Sequence, residues 1–388
     1  MKRRLMLLRM VAVMLLAVMA GLGPAPAVRA AIPRADLPAD VAAWLALMPE
    51  LAAAPAPPWL KAGARLTYHI MSAAREGDTT PAGESLVQYD VVSSDGTSVL
   101  AVAGIHVISD GMLAPVRDTG FIVGAPGVGE VWMNPAALSA AERHANQHIS
   151  IAHVPMNVGG ATIKAVRFES AEGVSRNVSV FEEATGVLLY RIQALGNLDT
   201  AKQNTVISEF VSMRQINPAW AGGSTPAWAA VDAMFKYEGT TAVNVGQGSP
   251  AIPLPLAMLG QIVYAAPTYA CVRWETYMSG RKTEERYSLS PAAIPSGGIF
   301  LPPQALAVLR AGQALDADPT TGVTISVAQS PLVMDGKQLL TLVHQGRSFQ
   351  RLYGYDCQSG MLIYFGESAQ QGLAMVQTEL KLTGVYGR

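Results

Sequence analysis

The chain has 388 residues, is half hydrophobic, carries charge on only 15% of its positions and has a formal net charge of −1. That balance excludes global disorder, which needs low hydrophobicity and high charge, and it gives a nucleic-acid partner no electrostatic support. The length suits two domains, and the 36 glycines and 25 prolines, spread along the chain, suit many turns between strands.

Residues 1–30 read as a secretory signal peptide. Lys2, Arg3 and Arg4 form a positive start, Leu5 to Leu22 is apolar except for Arg9, and Val28 and Ala30 flank Arg29 as a small-x-small cleavage site. Export to the periplasm or beyond is the expectation, with cleavage after Ala30 and no membrane-spanning segment in what remains. Residues 31–58 are rich in Ala and Pro. Within them Val41, Leu45 and Met48 fall at helical spacing and Pro49 ends the run.

A first β-rich repeat is expected over 59–216. Arg65–Ile70, Leu86–Val92 and Ser98–Val102 read as strands, the last two joined by the turn signal Asp95-Gly96. Asn134 and Pro135 open a short helix as cap and first residue. Four antiparallel strands follow, at Thr162–Phe168, Arg176–Phe181, Gly186–Ile192 and Asn204–Phe210. A linker covers 217–231, and a second repeat covers 232–388. Phe235-Lys236 and Gly239 echo Leu60-Lys61 and Gly63 there, Pro303 and Leu306 echo Pro135 and Leu138, and Asp318 to Gly322 is a turn. Its last strands are Leu339–His344, Gln350–Tyr355, Gly360–Phe365 and Met375–Leu380.

The duplication is clearest in two hairpins. Phe181-Glu-Glu-Ala-Thr-Gly186-Val-Leu-Leu-Tyr190 and Tyr355-Asp-Cys-Gln-Ser-Gly360-Met-Leu-Ile-Tyr364 share one register. The glycine supplies the positive φ of the turn, and the acid or hydroxyl satisfies loop amides. The fold class is therefore α+β and mostly β: two tandem repeats, each a curved antiparallel sheet packed on a short helix.

No charged residue occurs from Gly239 to Val272. Leu256, Leu259 and Val263 lie at helical spacing, which predicts a short apolar helix over 256–264 with no equivalent in the first repeat. Leu256, Met258, Leu259, Ile262, Val263 and Tyr264 are the candidate wall or lid for an apolar ligand; packing between the repeats is the alternative. Cys271 and Cys357 are the only cysteines, and export favours a disulfide between them, with two buried thiols as the alternative.

Catalytic signatures are missing. Ser279-Gly-Arg-Lys282 matches a penicillin-binding pattern by letter only, because Met278–Arg281 reads as a hairpin tip. His144, His148 and His153 cluster, but the segment leaves a helix for a strand and its counterpart around Arg310 has no ligand, so surface histidines are expected and no metal. No catalytic residue and no cofactor is assigned.

The two hairpins and the strands after them resemble the LolA/LolB type of periplasmic lipoprotein-carrier fold. That resemblance implies a sheet curled around helices with acyl chains between, here in two copies. The expected function is a non-enzymatic, exported carrier of a hydrophobic ligand such as a lipid or lipoprotein acyl chain; the alternative, from a different class, is a periplasmic scaffold that binds a protein partner through sheet edges.

Overall fold

The computed structural model describes residues 44–387, apart from 76–81, 110–111, 116–119, 147, 173–174, 198–201, 221–222, 246–251 and 372–373. The signal peptide, its cleavage site and residues 31–43 of the Ala/Pro-rich segment lie outside the described residues.

Two large antiparallel sheets account for most of the chain. The first contains β1 (Ala64–Arg75), β2 (Ala82–Ser94), β3 (Val99–Ser109), β4 (Met112–Pro115) and β5 (Gly120–Gly124). After helix α1 (Pro135–Ala140) it continues with β6 (His144–Ala145), β7 (Ile149–Val158), β8 (Ala161–Glu172), β9 (Ser175–Glu182), β10 (Leu188–Asn197) and β11 (Lys202–Gln215). The second contains β12 (Met234–Val245), β13 (Ile252–Ala266), β14 (Tyr269–Met278) and β15 (Arg281–Pro291), then helix α2 (Pro303–Val308). It ends with β16 (Ala314–Ala317), β17 (Thr324–Val327), β18 (Leu332–Met334), β19 (Lys337–Gln345), β20 (Phe349–Asp356), β21 (Leu362–Gln371) and β22 (Ala374–Tyr386).

The strand order is 4-3-2-1-11-10-9-8-7-6 in one sheet and 15-14-13-12-22-21-20-19-17-16 in the other. In both, the first strand of the repeat pairs with its last, so each sheet is stitched at its middle by the chain ends of its own repeat. The fold is mostly β, in two tandem open sheets, as the sequence predicts.

The repeats share anchors as well as order. Tyr68 Oη donates to the Leu188 carbonyl at 2.9 Å, and Tyr237 Oη donates to the Leu362 carbonyl at 2.9 Å. Trp59 Nε1 donates to the Thr185 carbonyl at 2.7 Å, and Trp228 Nε1 to the Ser359 carbonyl at 2.8 Å. Each hairpin glycine has positive φ, +75° at Gly186 and +70° at Gly360, and its backbone lies against the segment that leads into the helix, at Met133 and Leu301. Asn134 caps α1 by accepting from the Ala137 amide at 3.0 Å. The structural equivalence therefore corrects the sequence alignment at one point. Tyr237 takes the place of Tyr68 and Trp228, which falls within the expected linker, that of Trp59, so Phe235-Lys236 corresponds to Leu66-Thr67 and not to Leu60-Lys61.

The apolar segment is the main secondary-structure correction. Residues 252–266 form strand β13, not a helix, and its counterpart in the first sheet is β2. A uniformly apolar run fits a period of 2 as well as 3.6, and here hydrogen-bonding neighbours on both sides decide. β12 pairs with it along Ile252–Gln261 and β14 along Leu256–Ala266. Pro253 and Pro255 are tolerated because they lie beyond the end of β14, where β13 has a neighbour on one side only.

Each sheet owns a core. Trp44, Leu51, Leu66, Tyr68, Trp132, Leu138, Phe168 and Phe181 fill the first, with Trp44 edge-on to Phe181 at 5.3 Å. Phe235, Tyr237, Ile262, Phe300, Leu301, Leu342 and Tyr355 fill the second. A third, smaller cluster joins the repeats: Val92, Leu100, Val102 and Ile216 from the first meet Tyr269, Cys271, Leu289 and Ile294 from the second.

Candidate functional site

The most chemically loaded place in the molecule is the cleft beside that third cluster. It is a cavity of about 90 Å³ whose walls include Arg65, Gln88, Asp90 and His106 from β1–β3 and His344, Phe349, Arg351 and Tyr353 from β19 and β20. Strand alternation places these side chains. Arg65 pairs with Asp90 across β1 and β2 and Gln88 with Gly104 across β2 and β3, so the residues share the outer face of the first sheet. That outer face covers the open end of the second sheet's inner face.

A buried ion network crosses the cleft. Arg65 holds Asp90 with two hydrogen bonds, of 2.6 and 2.7 Å, and reaches Asp318 of the second repeat at 2.9 Å. Arg214 grips Asp316 with two more, of 2.7 and 2.6 Å. Gln88 Nε2 donates to the same Asp318 oxygen as Arg65, Oδ2, at 2.5 Å, while the Thr320 amide donates to Oδ1 at 2.8 Å. The Asp318 side chain is 1% exposed, so every lone pair it turns away from water must find a donor here. Burial would raise its pKa, but the Gln88 hydrogen bond and the Arg65 charge win and hold it below the usual carboxylate range. Burial also works against the Arg65 charge, and Asp90 above all keeps that guanidinium more basic than usual.

Two histidines face the same cavity from opposite repeats. Burial, helped by the charges of Arg351 and Arg65, pushes His106 down to about 4 and His344 down to about 3. His106 Nδ1 and His344 Nε2 are buried with no hydrogen-bond partner among the described residues. A polar cavity of this volume has room for a few waters at those atoms. The sign of the pH effect follows directly. Both histidines bind protons less readily folded than unfolded, where the value is about 6.5. Stability is therefore full above pH ~6.5 and falls as the pH drops towards 4 and 3, and the depressed Asp318 adds to the loss in the same direction. We expect urea midpoints to fall monotonically from pH 7 to pH 4, with His344→Gln flattening the slope.

The six candidate ligand-wall residues are not brought together. Leu256, Met258 and Ile262 belong to the second core, whereas Leu259 projects from the opposite face of β13. A bulge between Ile262 and Tyr264 turns Val263 and Tyr264 towards the cluster that joins the repeats. The disulfide is also corrected. Both cysteines are free, Cys271 buried in that joining cluster and Cys357 exposed at the hairpin tip, where its thiol lies 3.4 Å from the Gln338 carbonyl. Cys271 is on β14 and Cys357 follows β20, and strands β13, β12, β22 and β21 stand between them in the sheet. His144 and His148 are exposed, and His153 lies 2.8 Å from the Ala141 carbonyl.

The sequence reading missed Arg65, Arg214, His106, His344 and Asp316 and took Asp318 only as a turn residue. The one available signal was polar residues interrupting strand patterns, such as Gln88 within Leu86–Val92.

No protein-family model matches the chain, and no curated protein matches it. Among solved structures, MucB in complex with MucA(peri) is similar at 10% identity over 89% of this chain and 94% of that one, with a TM-score of 0.19. A protein of unknown function from the DUF3598 family of Nostoc punctiforme is similar at 12% identity over 82% of this chain and 95% of that one, with a TM-score of 0.14. PNGF-II is similar at 9% identity over 83% of this chain and 68% of that one, with a TM-score of 0.16. Likenesses this distant assign no activity, and the LolA/LolB resemblance stays a weak one.

Proposed function

We propose that this is an exported interaction protein that binds a protein partner by adding an extended segment to a sheet edge. The observation that carries this reading is β15. It is an end strand of 11 residues, whereas the other three ends, β4, β6 and β16, have four, two and four; β5 approaches it and Leu289, Ser290 and Pro291 are buried, which leaves its first residues as the exposed edge. Residues 281–283 and Glu285 are exposed, and Arg281, Lys282, Glu284, Glu285 and Arg286 mix both charges along the strand. Mixed charge on an edge deters indiscriminate pairing and leaves room for one complementary strand. The carrier reading has less support. The two best-formed cavities are about 10 and 90 Å³, whereas small-molecule sites run from roughly 300 Å³ upward.

A photo-cross-linking residue at Glu285 tests the proposal in an exporting host. The expected result is one discrete adduct, absent when the same residue is placed at Glu275 on the neighbouring strand. Purified partner should then slow amide exchange over 281–287. No adduct, together with an extractable apolar molecule in the native mass spectrum, would overturn this reading in favour of a carrier.

A further inference from the structure

We propose that the joint between the two repeats is an acid-operated latch: protonation of His106, His344 and Asp318 parts the two sheets while each keeps its own core, and bares the apolar cluster around Cys271. The inference stands on how the contacts are partitioned. The two cores are separate clusters, one within each repeat. The repeats meet through the small third cluster, the Arg65, Gln88 and Arg214 bonds to Asp316 and Asp318, the cleft itself, and the approach of β5 to β15 and of β4 to β21. The joint thus contains buried and partly buried groups whose charge depends on pH, at Asp318, His106 and His344, whereas the two cores are clusters of hydrophobic residues.

The surroundings of each histidine leave an added proton uncompensated. His106, on β3, faces Arg65 on β1, Asp90 on β2, Asp318 after β16, and Arg351 and the Phe349 ring on β20, the ring at 6.5 Å. His344, on β19, faces Arg351 and Arg65, the Pro295 carbonyl and the Tyr353 ring at 4.8 Å. The nearby carboxylates are already engaged: Asp90 by Arg65, Asp316 by Arg214, Asp318 by Arg65 and Gln88, and Glu367 by Arg351 at 2.7 Å. A proton on either imidazole therefore adds a cation beside two arginines in a cavity of only about 90 Å³, and a proton on Asp318 removes the anion that both repeats share. Parting the sheets hydrates all three groups without opening either core.

The connection between the repeats suits such a motion. Ile216 is tied back to the first repeat by a 2.7 Å bond from its amide to the Gly63 carbonyl. Trp220 is tied to the second by a 2.8 Å bond from Nε1 to the Ala292 carbonyl. Residues 217–219 lie between these anchors as a hinge.

Cys271 provides the readout, because burial pushes its thiol up to about 12 and keeps it inert while the joint is closed. In a Cys357→Ser background, the labelling rate of Cys271 by a pyridyl disulfide reagent, which reacts in acid, is followed from pH 7 to pH 3 beside far-UV circular dichroism. Labelling is expected to rise about tenfold or more at a pH where the strand signal is still intact. His106→Gln with His344→Gln is expected to move the labelling midpoint to lower pH. Should the double variant not fold, His106→Gln alone is expected to move it in the same direction, since that ring is only partly buried. Labelling that rises only together with loss of the strand signal, or a midpoint unmoved by glutamine, would overturn the latch.

Discussion

Replacing Arg65 with methionine is expected to cost about 3–5 kcal/mol, the range for removing one partner of a buried ion pair. Methionine keeps much of the side-chain volume, so the effect isolates charge and hydrogen bonding. The arginine is 7% exposed and spans both repeats, with Asp90 on its own sheet and Asp318 on the other. Its loss leaves the Asp318 carboxylate with Gln88, the Thr320 and Thr321 amides and a long 3.5 Å contact from Arg214. Asp90 loses two of its hydrogen bonds at once. Urea unfolding at pH 7 measures the effect. Adding Asp318→Asn should restore part of the stability, because an uncompensated anion is then removed. A loss under 1 kcal/mol in the single variant would mean that water enters the joint and screens the network.

Gly186→Ala and Gly360→Ala are each expected to cost about 2–4 kcal/mol. Two causes combine. Positive φ costs a residue with a Cβ roughly 1–2 kcal/mol, and the new Cβ would run into a backbone carbonyl, that of Met133 in one repeat and of Leu301 in the other. Those carbonyls cannot move freely. Met133 and Leu301 also donate their amides to the Gly186 and Gly360 carbonyls at 2.8 Å, which pins each hairpin to the start of its helix. Because the two glycines sit in separate cores, their effects should add within about 0.5 kcal/mol in the double variant. Strong non-additivity in thermal unfolding would show that the repeats share more of their stability than their cores suggest.

The repeat was legible because its markers are local. A glycine after an acid and a hydroxyl residue, a proline at the helix start, and apolar alternation each act over fewer than ten residues, and each recurs in both halves. The helix starts at Pro135 and Pro303 and the late strands fall where those signals place them. Residues 252–266 were misread for the opposite reason. Ile252 to Ala266 offers apolar residues at every spacing, so no local period distinguishes helix from strand, and pairing with β12 and β14 makes the choice. The cysteines were misjudged because compartment chemistry says that a bond can persist but not that the chain brings two thiols together.

The cleft was not legible at all. Arg65 and Asp318 are 253 positions apart, and their 2.9 Å contact exists only because one sheet's outer face covers the other's open end. The sequence by itself determined the composition of this protein as two β-rich repeats, their turns and helix starts, and the order of the last four strands of each repeat, since backbone geometry and side-chain alternation act on near neighbours. Only the tertiary structure decided which strands pair at the middle of each sheet, that the apolar run is an inner strand of the second sheet, and that the repeats meet through buried charges and two cleft histidines. Those outcomes depend on desolvation and on contacts between distant residues, and neither leaves a periodic mark in the chain.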